Sequence, residues 1–105
     1  MSSVTNTILA FSIIEDVEAR FNDVNAFFPP DRSGFVWTWE SSSRDDRTWV
    51  GGSKNLEQPT FIAAFNYLDV QALLLHMRGI KWEEPEDVQL IVCPQDADRY
   101  EILTL

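Results

Sequence analysis

A chain of 105 residues, 45% hydrophobic and 12% aromatic, is one folded domain with room for a single core. Its 17 acidic and 8 basic side chains leave a net charge of −9. That disfavours nucleic acid, which needs clustered Lys and Arg to displace counterions, and it disfavours anionic membrane surfaces.

The same charge suits a basic protein partner drawn in by long-range attraction, although it also serves plain solubility. The lone Cys93 rules out an internal disulfide and fits a reducing compartment. The first residues lack a basic, then apolar, secretory pattern. No run approaches the ~20 apolar residues of a membrane span. The sequence therefore predicts a cytoplasmic protein.

Thr5–Phe11 reads as a first strand, with Ile8 and Ala10 on one face and Leu9 and Phe11 on the other. Apolar residues on both faces predict a central strand covered on both sides, or covered on one side by a partner. Ser12-Ile13-Ile14-Glu15 matches a capping box opening a helix, and Ile14, Val17, Phe21, Val24 and Phe28 form its apolar stripe. Pro29-Pro30 ends it. Phe35–Glu40 alternates strictly, with Phe35, Trp37 and Trp39 on one face. Ser41–Arg47 is a polar hairpin loop, and Thr48–Gly51 returns as a strand carrying Trp49.

Phe61–Ile80 is the longest apolar run, and two readings compete for it. Phe61, Phe65, Leu68, Ala72 and Leu75 recur as in one long helix. The preferred reading makes Phe61–Tyr67 a strand and Asp69 the N-cap of a helix to about Arg78. Val70, Leu73, Leu74 and Met77 would be its buried face, with Gly79 left-handed just beyond. Lys81–Asp87 is an acidic loop, Val88–Cys93 a strand, and Arg99–Leu103 a last strand. The expected fold is α+β: an antiparallel sheet of about five to six strands with two helices on one face, in the order β-α-β-β-β-α-β-β. This order resembles split β-α-β folds, which host many unrelated functions.

Chemistry finds little purchase. The one histidine, His76, has no nucleophile or orienting partner signalled nearby. Cys93 precedes Asp96 and Asp98, a poor setting for a thiolate. One Cys and one His do not make a zinc site, and the acidic segments lack the spacing of a calcium loop. Gly51-Gly52-Ser53-Lys54 falls short of a phosphate-binding loop. No metal, cofactor or catalytic set is expected.

Two surfaces stand out instead. One is the tryptophan hairpin, with Trp37, Trp39 and Trp49 rimmed by Arg44 and Arg47. Packing of these rings under the helices is the competing role for them. The other is the acidic loop with Glu83, Glu84, Glu86 and Asp87, within an end segment of seven acids and two bases from Lys81 to Leu105. The leading expectation is a non-enzymatic interaction protein, of the inhibitor or immunity type, that binds a basic protein. The alternatives are a small-ligand-binding domain lined by Trp37, Trp39 and Phe65, and a homodimer formed through the tryptophan hairpin or an edge strand.

Overall fold

The computed structural model describes residues 3–30, 34–37 and 58–105. They form five strands and two helices: β1 (Val4–Ala10), α1 (Val17–Asn25), β2 (Val36–Trp37), β3 (Thr60–Asn66), α2 (Val70–Arg78), β4 (Gln89–Pro94) and β5 (Glu101–Thr104). A single 3-10 turn, Pro85–Asp87, precedes β4. The strands make one antiparallel sheet in the order β2-β3-β1-β4-β5. In each β-α-β pass one strand lies between the two that the helix connects, so the arrangement is a doubled split β-α-β unit with an added hairpin. The expected α+β class holds. The strand expected at Thr48–Gly51 lies outside the described residues.

Register separates the sheet into two unlike faces. Trp37, Phe61, Leu9, Leu90 and Leu103 form one continuous cross-strand row. This row looks toward the helices. Leu9, Phe61 and Leu90 are wholly buried there with Val24, Leu73 and Met77. Aromatic rings carry much of the packing. Phe21 stacks on Phe61 at 4.9 Å, Phe28 lies flat on Phe65 at 4.6 Å, and Trp37 tilts against Phe61 at 4.6 Å. Such contacts add about 0.5–1.5 kcal/mol each beyond area burial.

The long apolar run divides as the preferred reading requires. β3 ends at Asn66, and Asp69 caps α2 by accepting from the Ala72 amide at 3.0 Å. Leu75, which a single long helix would bury, is 69% exposed. Tyr67 lies past the strand in left-handed backbone, φ 54°, and its amide donates to the Ser3 carbonyl at 2.9 Å. For a residue with a Cβ this conformation costs roughly 1–2 kcal/mol.

Two helix-end expectations are corrected. α1 begins after Asp16, whose carboxylate accepts from the Ala19 amide at 3.2 Å; Ser12–Glu15 is a turn ahead of it. Ile14 is therefore outside the buried stripe and 62% exposed. Both capping-box side chains are drawn away to the loop before β4, as described below. Gly79 is not left-handed: its φ is −82°, because α2 closes with short backbone bonds from Gly79 to His76 and from Ile80 to Met77. Gly34 is the glycine that geometry demands. Asn25 accepts from the Phe35 amide at 2.8 Å and donates to the Phe35 carbonyl at 3.1 Å, anchoring β2 to α1. A Cβ at Gly34 would lie 2.3 Å from the Asn25 side-chain oxygen.

Urea denaturation should separate the two glycines. Gly34→Ala is expected to lose about 1–3 kcal/mol through overpacking. Gly79→Ala, whose new Cβ meets only the His76 carbonyl at 3.4 Å, is expected to gain up to about 1 kcal/mol, whereas a left-handed Gly79 would make it destabilising.

Candidate functional site

The acidic loop after α2 is held in place from underneath. β1 ends in the buried Phe11, and Ser12–Glu15 turns the chain into α1. The turn points Glu15 inward, where it is only 5% exposed. Its two carboxylate oxygens accept from the Glu83 amide at 2.9 Å and the Glu84 amide at 2.7 Å. Arg20, one turn into α1, donates Nε to the same carboxylate at 3.3 Å and Nη1 to Asp23 at 2.8 Å. Ser12 completes the tie by donating its hydroxyl to Glu84. Trp82 packs its ring 5.2 Å from Phe11 and donates Nε1–H to the Met77 carbonyl at 2.9 Å. The loop backbone is thus fastened to both helices.

This fastening has a chemical consequence. Glu84, Glu86 and Asp87 bring carboxylate oxygens within 4.8 Å of one another. Glu86 and Asp87 are exposed, and Glu84 is half-buried. Crowding by the protein, followed by the charge and hydrogen bond of Glu84 and the charge of Glu86, holds the Asp87 carboxyl above its ordinary value. Glu83 is exposed and follows the same pinned backbone. All four loop acids singled out from the sequence therefore belong to one corner. Such a corner attracts cations and cationic side chains, and nothing else at the site marks it as a metal centre.

The tryptophan surface is divided. Trp37 is packed on the helix side of the sheet, against Phe61 and 6.5 Å from Phe21. Trp39, Trp49, Arg44 and Arg47 lie outside the described residues. Of the rings proposed to line a ligand pocket, Trp37 and Phe65 are described, and both touch other rings: Phe65 is closed on one side by Phe28 and at its edge by Phe35, 5.5 Å away. Phe65 also reaches an open cleft of about 420 Å³ bordered by Phe27 and Tyr67.

His76 is half-buried and donates Nε2–H to the Asp23 carbonyl at 2.7 Å, with its ring 5.5 Å from Phe27. It links α2 to α1. Cys93 is half-buried on the opposite face of the sheet, its sulfur 3.7 Å from the Ala97 carbonyl.

No protein-family model, curated protein or solved structure matches this chain. Function must therefore be argued from the site alone. Sequence reasoning found the loop acids but missed Glu15, which it placed in a capping box. A Glu three residues after a Ser carries that signal whether or not a helix follows at once.

Two measurements test this corner. Glu15→Ala strands two amides and leaves the Arg20 Nε–H without its partner, with Asp23 the remaining one, and should cost about 3 kcal/mol in urea denaturation. Asp87→Asn should act oppositely. A carboxyl raised in the folded state adds stability only when protonated, and that contribution is lost as the pH climbs through its raised value. Asp87→Asn is thus expected to raise Tm at pH 7 and to leave it unchanged at acid pH below the ordinary Asp range.

Proposed function

We propose that this chain is a non-enzymatic, cytoplasmic interaction domain that docks a basic partner protein through its acidic corner, in the manner of an inhibitor or immunity-type protein. The observation that carries the proposal is the pinning of Glu83 and Glu84 by Glu15. Loop carboxylates on a wandering backbone would have to be ordered on binding, at a cost in affinity. Here Glu84, Glu86 and Asp87 are already gathered before a partner arrives. Crowding by the protein and, after it, the charges of Glu84 and Glu86 raise Asp87, and an approaching Lys or Arg relieves the repulsive part. The net charge of −9 adds long-range steering toward the same kind of surface.

Action by contact is also supported by the use of the nucleophile and base candidates. His76 spends Nε2 on a backbone carbonyl, and Cys93 is distant from it on the other face of the sheet. Among the described residues no helix is long and apolar enough to cross a membrane.

Isothermal titration with a Lys- and Arg-rich peptide, and capture of partners from a cell lysate, test the proposal. Binding should weaken at least ~10-fold between about 50 and 500 mM NaCl, as expected where exposed charges attract across a Debye length. The combined variant E84Q/E86Q/D87N should weaken it similarly at low salt. A captured partner indifferent to both changes would overturn the acidic corner as the docking surface.

A further inference from the structure

The sheet face turned away from the helices carries a second continuous row. Val36 pairs with Ile62, Ile62 with Ile8, Ile8 with Ile91, and Ile91 with Ile102. Five β-branched side chains thus cross all five strands in one line. None of them belongs to the core cluster or packs against it. Ile102 is 59% exposed and Val36 37% exposed, while the inner three are half-buried. The neighbouring rows hold small or neutral residues, among them Ala64, Asn6 and Cys93 on one side.

No Asp, Glu, Lys or Arg projects from any strand on this face, among the described residues. That is unusual for a chain with 17 acidic and 8 basic side chains. Glu101, the one acid within a strand, pairs with Val92 and so looks to the helix side.

We infer that this face is a homodimer interface, on which a second copy of the chain packs sheet against sheet. Charge selects the occupant. Two copies of net charge −9 repel each other through every acidic surface, so a neutral face is where they can meet. A basic partner gains nothing from that neutrality. Size is sufficient. The strands, of 7, 2, 7, 6 and 4 residues, cover roughly 400 Å² per face at ~4.8 Å between strands and ~3.3 Å per residue. Two such pleated faces bury on the order of 1,000 Å², the lower bound for a specific interface. Symmetry fits as well. β1 is the middle strand and Ile8 sits in the middle of the row, so a twofold axis near Ile8 brings each row across its own copy. A β-branched ridge flanked by small side chains can interdigitate with its copy at the ~10 Å spacing of packed sheets. The acidic corner lies outside this face and stays available.

Sedimentation equilibrium on the full chain tests the inference. The wild-type chain should dimerise in the micromolar range, and raising NaCl from about 50 to 500 mM should tighten the dimer, because salt screens the repulsion. This is opposite in sign to the salt effect expected for a basic partner, so the two proposals fail separately. Ile8→Glu and Ile8→Lys should each weaken self-association by at least ~100-fold by burying an unpaired charge. Mixed in equal amounts, they should regain a heterodimer through the paired charges. Circular dichroism checks that each variant is folded. A wild-type chain monomeric at several hundred micromolar in high salt would overturn the inference. So would folded variants that fail to associate when mixed, or that dimerise as the wild type does.

Discussion

A single carboxylate organises one end of this molecule. Glu15 sits almost without solvent where the first strand gives way to the first helix, and it serves two amides of a loop 68 residues further along. Arg20 keeps its charge compensated. A buried carboxylate is costly unless donors replace the water it loses, and here three donors converge on it. The acidic surface above exists in its present shape because this acidic group below holds it. Removing the inner charge would release the outer ones.

The sheet applies a second constraint. Antiparallel pairing alternates side chains between faces, so one register sets two surfaces at once. The same pairing that aligns Phe61, Leu9 and Leu90 under the helices must align Ile62, Ile8 and Ile91 behind them. The helix-side row is closed by rings from α1 and by Leu73, Leu74 and Met77 of α2. The rear row is equally apolar, with no described helix over it. Together with the acidic corner, the molecule presents two unlike surfaces, one charged and one uncharged and apolar. The proposed basic partner would meet the first, and the proposed second copy the other.

Much of the fold was legible because the signals were local. Asp69 followed by an i, i+3, i+4, i+7 stripe needs only one turn of chain to act, and α2 lies where that pattern places it. Val88, Leu90 and Val92 alternate along the chain, and all three are buried on one side of the sheet. The failures have equally definite causes. Ser12 and Glu15 have the spacing of a capping box, yet their side chains bond to residues about 70 positions away. Distant amide donors hold the Glu15 carboxylate that a capping box would give to the local Ser12 amide, and the helix starts after Asp16. Gly79 took an ordinary helical backbone because the chain continues into Ile80 by a tight turn, so the left-handed freedom of glycine was not used.

Composition and short-range pattern by themselves determined the class of fold, the bounds of α2, the existence but not the start of α1, and a strongly acidic loop before the penultimate strand. They also showed that β1 is apolar on both sides. Tertiary structure alone decided that the loop acids rest on Glu15, that Trp37 turns inward to Phe61, and that five β-branched residues line up on the rear of the sheet. The reason is physical. Capping and amphipathic periodicity depend on neighbours a few residues apart. Strand register and buried hydrogen bonds depend on groups brought together only after the chain has closed on itself.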